Sequence, residues 1–429
     1  MTAEVVLMNK QAVALAADSA GTIGGKIFNS NNKLFMLSKR HPVGVMVYGS
    51  AEIMGYPWET IIKMYRKSLG RKSFPTLHEQ VEHFLNHLKE SKLFSSQTEK
   101  IYIETVFESI VMDIFNQISQ FFPEPKEGAS ELKEDDKKLL DWYFTKIISD
   151  IKQKVENRLI ECNISESDIH ELLAKYKDFS NDLISKYFSK YGINEKVHDN
   201  INSIVKHTVF CNPNRYMGSS GLVFAGFGED EVFPAAESFI VSSIIKSEIM
   251  MSKQIKDSID IENTAIICPF AQSDMAESFM FGIDSRLDST IRVQVTNMMK
   301  KIPNIVSEVS GENNSLIKNA LDNTLDKMCK SFFAGMDDYL NGEYMDPIQQ
   351  SVSNMPPNEL ATMAETLVNL TSFKRKISMN QRETVGGPTD VAVITKGDGF
   401  IWINRKHYFD PKKNHHFFSN YHNEENAHE

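Results

Sequence analysis

Apolar and polar positions form short blocks at the start of the chain. Two apolar runs, residues 3–8 and 12–17, are separated by the polar segment 9–11. Short apolar runs joined by a three-residue polar break are typical of a β-hairpin, so the sequence predicts one here. The second predicted strand ends at Asp18, a position from which a strand can present a side chain to a site.

A third apolar run, residues 43–48, ends at Gly49 and predicts another strand. The positions after it change to helical spacing, so we expect residues 49–51 to open the first helix and Pro57 to kink or restart it. A strand that ends in glycine before a helix presents free backbone N–H groups, and such groups can bind an oxyanion. Between these elements, Lys33 opens a separate apolar run.

The middle of the chain has a different pattern. Residues 71–210 contain almost no strand pattern, and apolar side chains repeat at helical spacing over residues 103–118. A proline-containing segment, residues 123–128, interrupts this spacing. The pattern predicts a large all-helical insertion.

Strand patterns return in the last part of the chain. They lie at residues 221–227, 231–233, 238–241, 264–270, 389–395 and 399–404, with a helical stretch at 273–376 that restarts at Pro356-Pro357. Two groups of strands with helices between and outside them predict an α+β protein, a four-layer αββα sandwich. The predicted organisation is a first core half at residues 1–70, the helical insertion at 71–215, a second core half at 216–404 and a loosely ordered tail at 405–429.

The composition narrows the class of protein. The chain has 429 residues, of which 41% are hydrophobic, and a formal net charge of -10. An acidic chain without a basic stripe argues against nucleic acid and anionic membranes as partners. No run reaches the length of a membrane span and no signal-peptide pattern is present, so we expect a cytoplasmic protein. The four cysteines lie far apart, which predicts reduced thiols, and we expect no metal and no cofactor.

The most informative single residue is Thr2, which follows Met1 directly. Removal of Met1 alone would leave a residue that carries both a hydroxyl and a free α-amine. That pair is a nucleophile with its own base, and it predicts an N-terminal threonine hydrolase. Many cytosolic proteins begin with Met-Thr and have no such role, an alternative that would be preferred if Thr2 stood alone.

Further residues follow Thr2 in a characteristic order. They are Ala17-Asp18-Ser19, Thr22, Lys33 and Gly49-Ser50-Ala51. Over residues 1–68 this order resembles proteasome β-type subunits and their bacterial relatives, which are N-terminal nucleophile hydrolases. The segment 385–401 resembles the last hairpin of that family, and the helical insertion is larger than the compact family members need.

The resemblance implies a role for each matching residue. Thr2 would attack a carbonyl, Asp18 would hold the Lys33 ammonium beside it, and the Gly49 N–H would stabilise the oxyanion. Thr22 and Ala51 would pair with an extended peptide, and Val47 would line the first specificity pocket. The plainer alternative is that Asp18 and Lys33 form an ordinary buried ion pair between strands.

The family pattern also includes supporting residues, and this chain departs from it at one of the two places. An acid and a serine are expected near Gly386-Gly387, where this chain has Glu383, Thr384 and Val385, so Thr384 is the candidate for support of the N-terminal amine. The serine expected at the start of the third helix is matched by Ser273.

Three hypotheses from different classes stay open. The chain is a peptidase or amidase, a peptide ligase or transpeptidase that resolves the same acyl-enzyme with an amine, or a catalytically silent assembly subunit. The expected partners are a peptide or protein substrate and further copies of the chain in a homo-oligomer. Substrate identity, ring size and any ATPase partner cannot be predicted from the sequence.

Overall fold

The computed structural model describes residues 2–23, 26–122, 134–157, 159–191, 196–310, 315–378 and 385–423. Its strands are β1 Ala3–Asn9, β2 Ala12–Ala17, β3 Gly21–Ile23, β4 Lys26–Phe28, β5 Leu34–Met36, β6 Val43–Gly49, β7 Glu52–Ile53, β8 Tyr56–Pro57, β9 Ser220–Gly226, β10 Ala235–Ile245, β11 Glu248–Ser258, β12 Ala265–Ala271, β13 Asp390–Thr395 and β14 Gly399–Asn404.

The helices lie between and after these strands. They are α1 Trp58–Leu69, α2 Leu77–Lys89, α3 Ser96–Ser119, α4 Glu134–Glu156, α5 Glu166–Ala174, α6 Lys177–Phe188, α7 Lys196–Phe210, α8 Asp274–Phe281, α9 Ser285–Ser310, α10 Ser315–Leu340, α11 Asp346–Asn354, α12 Pro357–Ile377 and α13 His415–Asn423. A π-helical segment, Asn341–Met345, joins α10 to α11. None of the described helices combines the length and the apolar character that a bilayer span requires.

Two five-stranded sheets form the centre of the molecule. The first has the strand order β12-β1-β2-β13-β14, and the second has the order β11-β10-β9-β6-β5. Every pairing in both sheets is antiparallel. The mixture of helices with antiparallel sheets agrees with the predicted α+β class.

Alternation along β1 sends its side chains to two different cores, because successive residues of a strand point to opposite faces. Ala3, Val5 and Leu7 pack with residues of α8, α11 and α12. Val6 and Met8 pack with residues of the second sheet, among them Met46 and Val223. The first sheet therefore faces the second sheet on one side and helices on the other.

The outer side of the second sheet is covered by α1 and α2, which contribute Trp58 and Phe84 to its core. A separate apolar core lies among α3 to α7, which we call the helical block. Ile245 and Met250 belong to this core, so the block packs on the turn end of the β10–β11 hairpin. The domain boundaries predicted from the sequence stay predictions.

The predicted start of the first helix is wrong. Residues 49–51 do not open a helix; a small hairpin, β7–β8, follows them, and α1 begins at Trp58. The hairpin turns at Met54 and Gly55, which have φ values of 49° and 84°. Two successive central residues with positive φ are characteristic of a type I′ hairpin turn. Pro57 consequently is the N-cap residue of α1, so of the two predicted effects of this proline the helix starts at it and is not kinked by it.

Other predicted elements also differ from the structure. Residues 231–233 are not a strand; the Glu231 carboxylate accepts the backbone N–H groups of Gly228 at 2.6 Å and Leu77 at 3.0 Å, which holds the segment as a loop. The sequence pattern also missed β11, most of whose second half is exposed and polar. The tail predicted to be loosely ordered contains α13 and begins with an ion pair between Lys406 and Asp390.

Candidate active site

Thr2 lies immediately before β1 and is only 4% exposed. Its carbonyl oxygen accepts the backbone N–H of Gln272 at 2.9 Å. Ala3 is paired with Ala271, so β12 holds the chain at the point where Thr2 enters the sheet. By alternation, Thr2 is on the same face of the strand as Val6 and Met8, which is the face toward the second sheet.

Asp18, directly after β2, is fully buried, and its carboxylate accepts four hydrogen bonds from described residues. Its Oδ1 accepts the backbone N–H of Ala3 at 3.0 Å and the Nζ of Lys33 at 2.6 Å. Its Oδ2 accepts the backbone N–H groups of Ala20 at 3.1 Å and Gly386 at 2.9 Å. Hydrogen bonds of this kind to the ionised form favour a buried carboxylate. Asp18 thereby links β1, β2, β5 and the segment before β13.

Lys33 is 7% exposed and comes one residue before β5. Burial lowers the pKa of its ammonium below the usual value of 10.5, whereas the ion pair with Asp18 raises it. The side chain keeps a partner of opposite charge, which a buried charge requires. Its backbone carbonyl accepts the N–H of Val47 at 2.8 Å, so β5 and β6 fix the lysine relative to the end of β6.

Gly49 is the last residue of β6 and has a φ of 78°. A side chain here would be excluded, because a Cβ atom would lie 2.4 Å from the carbonyl oxygen of Ser219. Alternate residues of a strand direct their N–H groups to the same side, so the Gly49 N–H points in the direction of the Val47 N–H. β5 begins at Leu34, opposite Met46, so Gly49 lies beyond the end of that strand, and it lines an open cleft.

A chain of hydrogen bonds fixes the segment after Gly49. The indole N–H of Trp58 donates to the Ser220 hydroxyl at 2.7 Å, and that hydroxyl donates to the carbonyl of Ser50 at 2.9 Å. The Ser50 hydroxyl donates to the carbonyl of Glu52 at 2.8 Å. The Gly49 amide is therefore held by a strand end and a hairpin, and not by a helix N-terminus as the sequence had predicted.

An open cleft of about 690 Å³ lies at this site. Its walls contain six of the residues singled out from the sequence, namely Thr2, Thr22, Lys33, Val47, Gly49 and Ala51. Thr22 is exposed on β3, Val47 is buried at 5% exposure, and Ala51 is exposed before β7. Asp18 is fully buried and contacts the cleft through Lys33. The predicted constellation is therefore brought together in space, while its chemical role stays a prediction.

The two predicted supporting residues have different outcomes. Ser273 caps α8 and lies one residue after Gln272, which binds the Thr2 carbonyl. Its hydroxyl makes no capping hydrogen bond. Thr384 lies outside the described residues.

Sequence reasoning missed a buried acid beside this site. Glu4 is 1% exposed, and neither of its carboxyl oxygens has a hydrogen-bond partner among the described residues. Burial raises the pKa of Glu4 well above 4.5, Lys33 lowers it and the charge of Asp18 raises it further. Burial and the charge of Glu4 together raise the pKa of Tyr48 to about 12. The one signal in the sequence is a charged residue within the apolar run at 3–8, which marks Glu4 as unusual but does not show that it is buried.

The cleft also contains two carboxylates that the sequence did not point to. Glu52 lies on β7 and Glu59 lies in the first turn of α1, and both line the cleft. Asn32 donates to Glu59 at 3.1 Å. Among the described residues, no group of three or more His, Cys, Asp or Glu side chains is arranged to hold a metal ion.

Several solved structures are similar to the chain, and three of them are reported with their identities and coverage. "Anbu (ancestral beta-subunit)" from Yersinia bercovieri is 8% identical with a TM-score of 0.27, over 99% of this chain and 97% of that one. The helical assembly of the Anbu complex from Pseudomonas aeruginosa is 9% identical with a TM-score of 0.27, over 98% and 94%. The Anbu (Gly-1) mutant from Hyphomicrobium sp. strain MC1 is 10% identical with a TM-score of 0.26, over 100% and 98%. No protein-family model and no curated protein matches the chain.

The expected kinship with proteasome β-type subunits is wrong. The similar structures are Anbu proteins, which are proteasome-like but form a distinct family. At TM-scores of 0.26–0.27 this likeness is too weak to assign an activity or an assembly. The function therefore has to be argued from the geometry of the site.

Proposed function

We propose that the chain is an N-terminal threonine hydrolase that cleaves peptide or amide bonds through a threonyl ester. The observation that carries the proposal is the ion pair of 2.6 Å between Lys33 and Asp18, which lies beside Thr2 at the base of an open cleft. A buried ion pair is seldom a gain in stability over an apolar pair, so a chemical role explains it better. The proposal includes a four-layer αββα arrangement around the two sheets.

The proposed reaction begins when Met1 has been removed and the α-amine of Thr2 is free. The Thr2 Oγ attacks the substrate carbonyl carbon, and its proton passes to the α-amine. The tetrahedral intermediate collapses to a threonyl ester, and the proton moves from the α-amine to the leaving amine. Water then attacks the ester, which releases the carboxylic acid and restores the Thr2 hydroxyl.

Three groups assist these steps in the proposal. A free α-amine has an ordinary pKa of about 7.7–8.0, so it is a suitable general base near neutral pH. The Lys33 ammonium lowers the pKa of this amine further by repulsion and stabilises negative charge on the attacking oxygen. The Gly49 N–H donates to the oxyanion, and loss of one such donor in other enzymes raises the barrier by about 3–4 kcal/mol.

The proposal extends to assembly and location. Removal of Met1 requires a compartment that contains methionine aminopeptidase, and the cytoplasm is such a compartment. We further propose that the chain forms a homo-oligomer. Among the similar solved structures, the Anbu complex from Pseudomonas aeruginosa forms a helical assembly.

Intact mass spectrometry tests the proposal. Purified protein is measured before and after treatment with a threonine-directed electrophile such as a peptide epoxyketone. We expect loss of Met1 and the gain of one electrophile equivalent on Thr2. Thr2→Ala should gain none, whereas Thr22→Ala, which removes a second hydroxyl from the same cleft, should still gain one.

Two results would contradict the proposal. Protein that retains Met1 in full and still cleaves substrate would exclude the α-amine as the base. Complete processing without reaction at Thr2 would favour the catalytically silent assembly subunit. Reaction at Thr2 followed by transfer of the acyl group to an added amine would identify a ligase.

A further inference from the structure

Two groups of side chains that line the cleft differ in chemistry and in exposure. Thr2 and Lys33 are buried, whereas Glu52 is exposed and Glu59 is half-buried, on the segment that follows the end of β6. Among the described residues that line the cleft, Lys33 is the one cationic side chain, and Asp18 already neutralises it. Of the two glutamates in the lining, Glu59 is paired with Lys63, so Glu52 is the carboxylate that no described cation neutralises.

The carboxylate of Glu52 is available for a ligand. Within the described part of the chain it accepts no hydrogen bond and forms no ion pair. Its backbone is fixed, since its N–H donates to the Ser50 hydroxyl at 3.3 Å and β7 pairs it with Pro57. Because the Glu52 backbone is fixed, its carboxylate can reach only a limited region of the cleft, and a ligand has to bind within that region.

Glu59 retains one available oxygen. Asn32 and Lys63 both donate to its Oε1. No residue of the described ranges donates to its Oε2. Asn32 also lines the cleft, so its amide orients the Glu59 carboxylate from the cleft side.

Apolar side chains also line the cleft. Val47 is 5% exposed, Phe35 is 7% exposed and Trp58 is 1% exposed, and all three contribute to the lining. A long cationic side chain has an apolar stem and a charged end, and such side chains commonly bury the stem while the end remains near polar groups. Arginine can also contact an aromatic face while it binds a carboxylate.

We propose that the cleft selects a substrate with a cationic side chain, of the lysine or arginine type, at the residue whose carbonyl is attacked. The stem would contact Val47 and Phe35, and the cation would lie between Glu52 and Glu59. This inference rests on the proposed function, because it takes Thr2 as the attacking group. It adds the chemical class of the substrate, which the catalytic residues alone do not specify.

Matched fluorogenic substrates test the inference. Three acetylated tripeptide coumarin amides differ only at the residue before the amide, which is arginine, norleucine or glutamate. We expect kcat/KM for arginine to exceed that for norleucine by roughly 1.4- to fivefold for each carboxylate that contributes, the range of an exposed ion pair. Glutamate should be the poorest of the three. The preference should decrease at high ionic strength, because salt screens charges of this kind.

Variants assign the preference to particular residues. Glu52→Gln and Glu59→Gln keep the shape of the side chain and remove its charge, so each should reduce the ratio of arginine to norleucine. The matched control is Glu82→Gln, because Glu82 is exposed on α2 and does not line the cleft. Equal kcat/KM for arginine and norleucine, or a ratio that neither cleft variant changes, would overturn the inference.

A binding measurement separates this inference from the proposed hydrolysis. Fluorescein-labelled tripeptide amides ending in arginine or norleucine are titrated with Thr2→Ala protein, and anisotropy reports the Kd. Tighter binding of arginine that is lost in the double variant with Glu52→Gln supports the inference even if wild-type protein cleaves none of the substrates. Absence of turnover combined with this preference would overturn only the hydrolysis. Absence of the preference in both measurements would overturn the inference.

Discussion

The two sheets and the helical block bury their polar groups very differently. The end of the first sheet at which Thr2 enters, together with Lys33 beside it, is called the Thr2 end, and it holds several buried polar or charged side chains, among them Thr2, Glu4, Asp18 and Lys33. The core of the helical block is built from apolar side chains, and its ion pair between Arg215 and Asp113 is only partly buried. Burial of charge carries a large desolvation penalty, so a fold tolerates it where partners are provided. Under the proposed function, the Thr2 end has the chemical role and the helical block a structural one.

The contrast also concerns the distance along the chain between contacting residues. Asp18 binds the backbone of Gly386, and β1 pairs with β12. The Thr2 end is therefore assembled from segments that are far apart in the chain. The helical block is formed by consecutive helices, α3 to α7, with a short apolar contact to the β10–β11 turn. We therefore expect substitutions in the two regions to separate chemistry from folding.

The largest expected effect is that of Lys33→Ala. It should abolish both turnover and labelling of Thr2, and it also leaves the fully buried Asp18 carboxylate without its cation. Removal of one partner of a buried ion pair lowers the free energy of unfolding by about 3–5 kcal/mol. Urea denaturation and electrophile labelling measure the two effects separately.

Lys330→Ala is the matched control for this prediction. Its partner Asp326 lies four residues earlier on α10, and both side chains are exposed. Loss of that pair should leave stability and labelling unchanged. Retention of most activity in Lys33→Ala would mean that the Asp18–Lys33 pair is structural and that the contrast between the two regions is wrong.

The second expected effect is on stability alone. Phe107 is fully buried in the helical block and contacts the rings of Tyr176 and Phe179. Phe107→Ala removes a large side chain from a packed core, which lowers the free energy of unfolding by about 3–5 kcal/mol. The folded fraction should still react with the electrophile at the wild-type rate, measured well below the melting temperature.

Ile101→Ala is the control in the same helix, because Ile101 is 56% exposed. It should change stability by no more than about 0.5 kcal/mol. A large loss of Thr2 labelling in folded Phe107→Ala protein would show that the helical block contributes to the site. The chemical and structural roles would then not be divided between the two regions.

The sequence predicted more of the helical block than of the Thr2 end, because local spacing determines helices and does not determine contacts between residues far apart in the chain. The helices of the block follow from local spacing of apolar residues, such as the stripe over residues 103–118 that became the buried face of α3. The Asp18–Lys33 contact followed only from resemblance, since no local rule brings residues fifteen positions apart into a buried ion pair. Local reasoning also misplaced the start of α1, because Met54 and Gly55 form a turn whose usual signal is asparagine followed by glycine.

Glu4 shows why the rest of the site could not be predicted. A glutamate in a strand is ordinarily expected at a solvated face. Its burial depends on pairing of β1 with β12, whose residues lie more than 250 positions away, and on the second sheet against that face. Neither the register of β1 nor the facing sheet is encoded near Glu4 in the sequence.

The smallest expected effect is a pH-dependent one at Glu4. Burial raises the pKa of its carboxyl in the folded state above 4.5, so the folded state binds more protons than the unfolded state as pH rises from that value. Stability of the wild type should therefore decrease through the window between 4.5 and the folded pKa, by at most about 1.4 kcal/mol per pH unit from this group. Glu4→Gln does not titrate, so it should be the more stable protein, by a margin that grows with pH across this window.

Urea denaturation of both proteins between pH 5 and pH 8 measures that margin. The matched control is Glu82→Gln, an exposed glutamate on α2, whose stability should follow the wild type at every pH. A constant difference between Glu4→Gln and wild type across the range would mean that Glu4 has an ordinary pKa and is solvated. In that case Asp18 and Lys33 would be the buried charges of the Thr2 end, and the difference in buried charge between this end and the helical block would rest on that pair alone.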